Sequence, residues 1–201
     1  MLTVGVLHLF YFCEVNDMTK NELFNALERS PVIAAVRDDG WDEAIASSAE
    51  VIFYLKANLM TVKQRISEAV QNDKIVFVHI DLADGIGRDK TGIEFLCECG
   101  VQGIISTRSQ LINIARDRGL LTVQRFFALD SQGLDSIRDI AGAADLLEIM
   151  PGIVPKIVSK FSENGAAVIA GGLIETKEEV MTALRAGATA VSTGKTALWD
   201  I

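Results

Sequence analysis

The chain has 201 residues, of which 49% are hydrophobic and 23% charged, a composition that excludes a disordered protein and predicts a single folded domain. A formal net charge of −8 argues against broad, nonspecific nucleic-acid binding, although a local basic surface is still compatible with it. The three cysteines, Cys13, Cys97 and Cys99, form no disulfide framework and favour a reducing cytoplasm.

The first 17 residues are expected to lie outside the folded domain. Residues 1–12 are apolar but lack a basic leader and are too short to span a bilayer, so no membrane attachment is expected. Residues 14–17 can be encoded by DNA that contains a ribosome-binding sequence just before Met18. We interpret residues 1–17 as a mistranslated or disordered leader and residues 18–201 as one domain.

From Thr19 onward, short apolar runs alternate with amphipathic segments at a spacing of roughly 20–25 residues, which predicts alternating strands and helices. Thr19 and Glu22 form a capping-box pattern, so a helix is predicted over 19–27 before the first strand. The predicted strands are 32–36, 51–55, 74–80, 103–106, 121–127, 146–149, 167–170 and 188–192. The predicted helices between them are 41–48, 61–70, 90–99, 109–118, 134–141, 154–161 and 177–186.

The apolar runs are continuous, as is typical of a parallel sheet covered by helices. Glycines that suit a left-handed helix end follow five predicted helices, at Gly100, Gly119, Gly142, Gly165 and Gly187. Alternation alone also allows an open doubly wound sheet. Eight units favour a compact α/β fold of the (β/α)8 TIM-like barrel type.

Small residues follow the last two predicted strands, in the turns where such a barrel commonly binds phosphate. Their bare backbone amides can close on an anion, and each turn is expected to precede a helix, whose N-terminus adds partial positive charge. The residues concerned are Gly171 and Gly172 after the seventh strand, and Ser192, Thr193 and Gly194 after the eighth.

Charged residues stand at the carboxyl ends of the predicted strands, where the binding groups of a barrel project. These residues are Arg37, Lys56, Asp81, Arg108, Arg125 and Glu148. Together they indicate a ligand site. No metal site is expected, because Cys97 and Cys99 are two residues apart and do not share a helix face.

Two features have alternative interpretations. His79 and Asp81 are two apart on one predicted strand, so they form either an acid–base pair or a hydrogen-bonded interior histidine beneath a carboxylate. The glycine-rich stretch 84–92 is a lid, a partner contact or a simple connection between strand and helix.

Several segments resemble the glycerol uptake operon antiterminator regulatory protein family, over about residues 21–199. They are His79-Ile-Asp-Leu, Gly85-Ile-Gly-Arg-Asp-Lys-Thr-Gly, Gly103-Ile-Ile-Ser-Thr-Arg, Gln124-Arg-Phe-Phe-Ala-Leu-Asp-Ser, Glu148-Ile-Met-Pro-Gly, Ala170-Gly-Gly-Leu-Ile and Val191-Ser-Thr. The resemblance implies a bacterial TIM-barrel protein that senses glycerol 3-phosphate. It also implies action on the leader mRNA of glycerol-utilisation genes, which prevents transcription termination.

The resemblance places the phosphate of this effector on Gly171, Gly172, Ser192, Thr193 and Gly194. It implies that the glycerol hydroxyls meet Asp81 and Glu148 as acceptors, with Arg37 or Arg125 as donors. The family more often has Ser-Thr-Ser where this chain has Ser192-Thr193-Gly194, so one hydroxyl donor is lost here.

The RNA-binding role rests on the resemblance, and Arg88, Lys90 and Arg108 are basic residues that could form a face for the RNA. No cofactor is expected, and a homo-oligomer is allowed. The alternative is a barrel enzyme for a small phosphorylated substrate, with Asp81 and Glu148 in acid–base roles. No lysine suited to a Schiff base stands within a predicted strand, and the resemblance favours a cytoplasmic regulator that is not an enzyme.

Overall fold

Eight parallel strands form a closed barrel in which each strand is hydrogen-bonded to the next and the last to the first. The computed structural model describes residues 18–37, 39–128 and 144–201. The strands are β1 Val32–Val36, β2 Val51–Tyr54, β3 Ile75–His79, β4 Gly103–Ser106, β5 Leu121–Phe127, β6 Leu146–Met150, β7 Val168–Gly171 and β8 Ala190–Thr193. The predicted TIM-like barrel is confirmed.

Seven α-helices and two 3-10 helices surround these strands in the described part of the chain. The α-helices are α1 Lys20–Arg29, α2 Trp41–Ala46, α3 Val62–Gln71, α4 Lys90–Glu98, α5 Ser109–Asp117, α6 Pro155–Ser162 and α7 Lys177–Arg185. The 3-10 helices are Ile80–Leu82 and Thr196–Leu198. The predicted leader 1–17, the predicted helix 134–141 and Gly142 lie outside the described residues. No helix in the ranges described has the length and apolarity needed to cross a membrane.

Local sequence signals account for the helix boundaries. The capping box predicted at Thr19 and Glu22 is present at the start of α1, and a second one, Thr176 with Glu179, starts α7. Left-handed glycines follow α4, α5, α6 and α7, with φ angles of 83° at Gly100, 76° at Gly119, 80° at Gly165 and 95° at Gly187. Four of the five predicted glycine helix ends are therefore confirmed.

Two apolar cores lie on the two faces of the sheet. Alternate strand residues such as Ile33, Phe53 and Phe77 fill the barrel interior, where they pack with Leu23 and Leu27 of α1. Because α1 contacts residues near the amino ends of the strands, it closes that end of the barrel. The second core lies between the strands and the surrounding helices. The carboxyl ends of the strands are the end at which ligands can enter.

The end of β3 differs from the prediction. β3 ends at His79, and Asp81 lies in the 3-10 helix Ile80–Leu82. The Ala83 amide donates to the Ile80 carbonyl, which tightens the chain into a helical turn and ends the strand period. The prediction that His79 and Asp81 share one strand is therefore wrong.

Candidate functional site

A cavity of about 420 Å³ opens at the carboxyl end of the barrel. The turns after β7 and β8 form one side, and the ends of β1, β5 and β6 form much of the rest. The predicted site residues in its wall are Arg37, Arg125, Glu148, Gly172, Ser192, Thr193 and Gly194. The structure thus brings together seven of the nine residues that were predicted to bind the ligand.

A buried hydrogen-bonded cluster forms the floor of this cavity. Arg125 Nε donates to Glu148 Oε2 at 2.5 Å, and Ser192 Oγ donates to Glu148 Oε1 at 2.6 Å. The side chains of Arg125 and Glu148 are only 9% and 1% exposed. In such surroundings an unpaired charge is strongly unfavourable, so each member holds the others in place.

Gly171 supports this cluster without lining the cavity. A Cβ atom at Gly171 would lie 2.6 Å from Glu148 Oε1 and 2.8 Å from Ser192 Oγ, too close for either side chain to keep its position. Gly172 has a φ of 76° and lies against Met150, and Leu173 follows with a φ of 60°. Glycine is therefore required sterically at 171 and conformationally at 172.

The hydroxyl of Thr193 connects the two turns. Thr193 Oγ1 donates to the Ile174 carbonyl at 2.7 Å and accepts from the Lys195 amide at 3.1 Å. The Thr193 side chain therefore fixes the shape of the cavity wall. The Thr193 carbonyl accepts from Trp199 Nε1 at 2.8 Å, so the bare backbone of Gly194 is the part of this turn that remains for contact with a ligand.

The helix N-termini contribute less positive charge to the cavity than the sequence predicted. Glu179 of α7 accepts hydrogen bonds from the Glu175 and Thr176 amides, so the protein's own carboxylate occupies the start of that helix. After β8 the described helix is the three-residue 3-10 turn Thr196–Leu198. The backbone of the turns is thus the main source of amides for an anion.

Two charged residues of the cavity wall escaped the sequence analysis. Lys195 Nζ lies 3.1 Å from Glu175 Oε1, and both residues line the cavity. Lys195 directly follows the small residues after β8, and Glu175 follows those after β7. Their positions next to the predicted turns were the available signal, but neither belongs to a recognisable motif.

Asp81 does not line the cavity. It accepts hydrogen bonds from the Thr107 amide at 2.6 Å, the Thr107 hydroxyl at 3.0 Å and the Ser106 hydroxyl at 3.0 Å, and Arg108 Nε lies 3.7 Å away. Burial acts to raise the pKa of Asp81, but the hydrogen bonds from Thr107 and Ser106 outweigh it and hold the pKa below its ordinary value. The carboxylate links the connection after β3 to the start of α5.

His79 points into the barrel, on the same face of β3 as Ile75 and Phe77. It is buried, and within the described chain neither ring nitrogen has a hydrogen-bond partner; Nε2 lies 3.8 Å from Asp81 Oδ2. Burial first, and then the positive charge of Arg125, lower the pKa of His79 to about 4, against the opposite effect of Asp81. The interpretation as an interior histidine is right about burial and wrong about hydrogen bonding.

The residues assigned to RNA lie in three places. Arg88 is exposed in the glycine-rich connection, Lys90 begins α4, and Arg108 directly precedes α5. Lys90 is 3.8 Å from Glu94, which also pairs with Arg118. The connection itself is packed, since a Cβ atom at Gly92 would lie 1.8 Å from the Gly87 carbonyl oxygen.

A family model described as glycerol-3-phosphate responsive antiterminator matches residues 32–199. The chain belongs to this antiterminator family. Among solved structures, it is similar to a glycerol uptake operon antiterminator regulatory protein from Listeria monocytogenes, with 34% identity, 84% of this chain and 94% of that one covered, and a TM-score of 0.77. It is also similar to an antiterminator-related protein from Thermotoga maritima, with 34% identity, coverages of 85% and 98%, and a TM-score of 0.75.

The uncharacterized protein YgcP of Escherichia coli K12 is a further relative of this antiterminator. It is 33% identical over 184 residues, which are 89% of this chain and 96% of that protein.

In the described ranges, no group of three or more histidine, cysteine or acidic residues is arranged to hold a metal ion.

Replacement of Gly171 by alanine in this antiterminator should displace Glu148 or Ser192, because the new methyl group meets both side chains. We expect the free energy of unfolding in urea to fall by about 2 to 4 kcal/mol. Gly194→Ala is the matched control, since its Cβ would lie 3.4 Å from the nearest atom, the Ala35 carbonyl oxygen. Equal stability of the two variants would contradict the packing argument.

The low pKa of His79 predicts a specific dependence of stability on pH. Because the folded state keeps the ring neutral down to about pH 4, the unfolded chain binds more protons below its ordinary pKa of 6.5. This residue therefore lowers the free energy of unfolding by about 2 kcal/mol as the pH falls from 7 to 5. In denaturant titrations, the free energy of unfolding of the wild type should fall by about 2 kcal/mol more between pH 7 and pH 5 than that of His79→Leu. Equal decreases in the two proteins would show that folding does not change the pKa of the ring.

Proposed function

We propose that this antiterminator binds glycerol 3-phosphate in the cavity at the barrel mouth and thereby controls its action on leader mRNA in the cytoplasm. The observation that carries the proposal is the composition of the cavity wall. Bare backbone turns lie beside Arg37 and beside a buried Arg125–Glu148–Ser192 cluster. The family description, which names glycerol 3-phosphate, supports the same effector.

In this proposal the phosphate lies against Gly172, Ser192, Thr193 and Gly194, with Gly171 behind them. Backbone amides suit a phosphate because they donate hydrogen bonds and carry no side chain that could block its approach. The glycerol hydroxyls then reach Arg125 and Glu148, whose paired charges offer both donors and acceptors. Arg37, which is exposed at the rim, neutralises part of the phosphate charge.

Asp81 is proposed to act indirectly. The hydrogen bonds that it accepts from Ser106 and Thr107, and its contact with Arg108, connect the end of β3 with the protein surface. Arg108, Arg88 and Lys90 are proposed to contact the RNA phosphates. A ligand can change this surface only if it binds one arrangement of the connections more tightly than another.

The floor of the cavity is suited to recognition of a polyol. Glu148 accepts one hydrogen bond on each of its two oxygens, from Arg125 and from Ser192. A carboxylate oxygen can accept two hydrogen bonds, so each oxygen keeps a position for a glycerol hydroxyl. Together with the family description, this favours a sensor over an enzyme.

Glycerol 3-phosphate should raise the thermal midpoint of the protein, because a ligand of the folded state adds about 2.7 kcal/mol at a concentration 100 times its Kd. Glycerol and inorganic phosphate at equal concentration should give smaller shifts.

Arg37→Gln should weaken the binding of glycerol 3-phosphate about tenfold, because it removes a charge-assisted contact. Arg185→Gln, the same change on the exposed end of α7, is the control. If glycerol 3-phosphate raises the thermal midpoint of the wild type no more than inorganic phosphate does, the proposal that it is the effector is wrong.

Retention of the leader mRNA of glycerol-utilisation genes on a gel should depend on glycerol 3-phosphate. A coupling of ordinary strength changes the RNA affinity by roughly 5- to 150-fold. Arg88→Gln and Lys90→Gln should weaken RNA retention without changing effector affinity, whereas Lys63→Gln, an exposed change on α3, should alter neither. Equal retention with and without the effector would disprove the coupling, and unchanged retention in both variants would exclude this surface.

A further inference from the structure

An exposed ion pair bridges the two turns at the barrel mouth. Lys195 Nζ and Glu175 Oε1 are 3.1 Å apart, with Lys195 after β8 and Glu175 after β7. We propose that Lys195 is a phosphate-binding residue and that Glu175 is the counter-ion that a dianionic ligand must displace from it. The inference rests on the proposed function and adds a basis for the choice of ligand.

The exposure of the pair makes an exchange of partners favourable for a ligand. The side chains of Lys195 and Glu175 are 53% and 61% exposed, so water screens their attraction, and the two long side chains must be ordered to meet. The pair of Arg125 and Glu148 on the cavity floor is buried and cannot be opened without leaving a charge unpaired. Of the two ion pairs that the described residues form in the cavity wall, the Lys195–Glu175 pair is the one that a ligand can separate.

The backbone on both sides of the pair is held independently of it. The Lys195 amide donates to Thr193 Oγ1, which in turn donates to the Ile174 carbonyl. The Glu175 amide donates to Glu179 Oε2 at 2.8 Å. Both turns therefore keep their positions when the pair separates, and rotation of two side chains is sufficient for the exchange.

The charges of the cavity wall explain why the exchange selects a dianion. In the structure Arg125 is paired with Glu148 and Lys195 with Glu175, whereas Arg37 has no carboxylate within ion-pair distance among the described residues. A phosphate monoester carries a charge of about −1.5 to −2 at pH 7, more than Arg37 alone can neutralise. Lys195 supplies the second positive charge once it leaves Glu175. A neutral polyol brings no charge that could compete with this carboxylate.

Variants of the pair should change the affinity for phosphate compounds in opposite directions. Glu175→Gln frees Lys195 and should strengthen the binding of glycerol 3-phosphate about tenfold, whereas Lys195→Gln should weaken that binding about tenfold. Inorganic phosphate should follow the same pattern, and glycerol should be unaffected. Glu178→Gln and Lys177→Gln make the same charge changes on exposed residues of α7 outside the cavity wall, and should alter affinity by less than about twofold.

The double variant separates displacement from simple repulsion between Glu175 and the ligand. Isothermal titration at neutral pH gives the Kd of glycerol 3-phosphate, inorganic phosphate and glycerol for each protein, after thermal unfolding has shown that the variant is folded. If Glu175 acts through Lys195, the increase in affinity from Glu175→Gln disappears in the Lys195→Gln background. An increase of the same size in both backgrounds would overturn the proposal.

The same titrations distinguish failure of this inference from failure of the proposed function. Glycerol 3-phosphate that binds the wild type and Lys195→Gln equally would overturn only the role of Lys195. Inorganic phosphate that binds as tightly as the ester, and more weakly to Lys195→Gln, would support the role of Lys195 and overturn the proposed effector. No binding of either phosphate compound to the folded wild type would overturn both.

Discussion

The barrel mouth depends on a single buried carboxylate. Glu148 receives a hydrogen bond from Arg125 on β5 and another from Ser192 on β8, so it connects strands on both sides of β6. Removal of any one partner would leave a polar or charged group without compensation in the barrel interior. The position of this carboxylate therefore fixes where the wall turns must stand, and Gly171 lacks a side chain because the carboxylate and Ser192 occupy the space.

The turns above this cluster are held by the protein's own polar groups rather than by a ligand. Thr193 connects them through its hydroxyl, and Glu179 caps α7 from within the helix. Such a preformed wall reduces the ordering that a ligand must impose when it binds. The long charged side chains at the rim, such as Lys195 and Glu175, can still change position. We therefore expect these side chains to distinguish one ligand from another.

The architecture was accessible from the sequence, whereas the side-chain partners were not. Strand and helix positions follow from apolar periodicity, capping residues and glycine helix ends, all of which are local signals, and the described elements match them within a few residues. The turn that removes Asp81 from β3 has no such signal. The contacts of Asp81 with Ser106 and Thr107, and of Lys195 with Glu175, join residues from different strand–helix units. They depend on the closure of the barrel, which periodicity does not describe.

Gly194 is a position in the cavity wall where a larger residue can be accommodated. Its backbone does not require glycine, and the nearest atom to an added Cβ would be the Ala35 carbonyl oxygen at 3.4 Å, an ordinary contact. A serine could therefore stand there without moving the strand, and a single base change converts some glycine codons to serine codons. The rigid cluster below it must be conserved as a unit, but this position can be exchanged alone. Natural selection could in this way change the surface of the cavity without disturbing the fold.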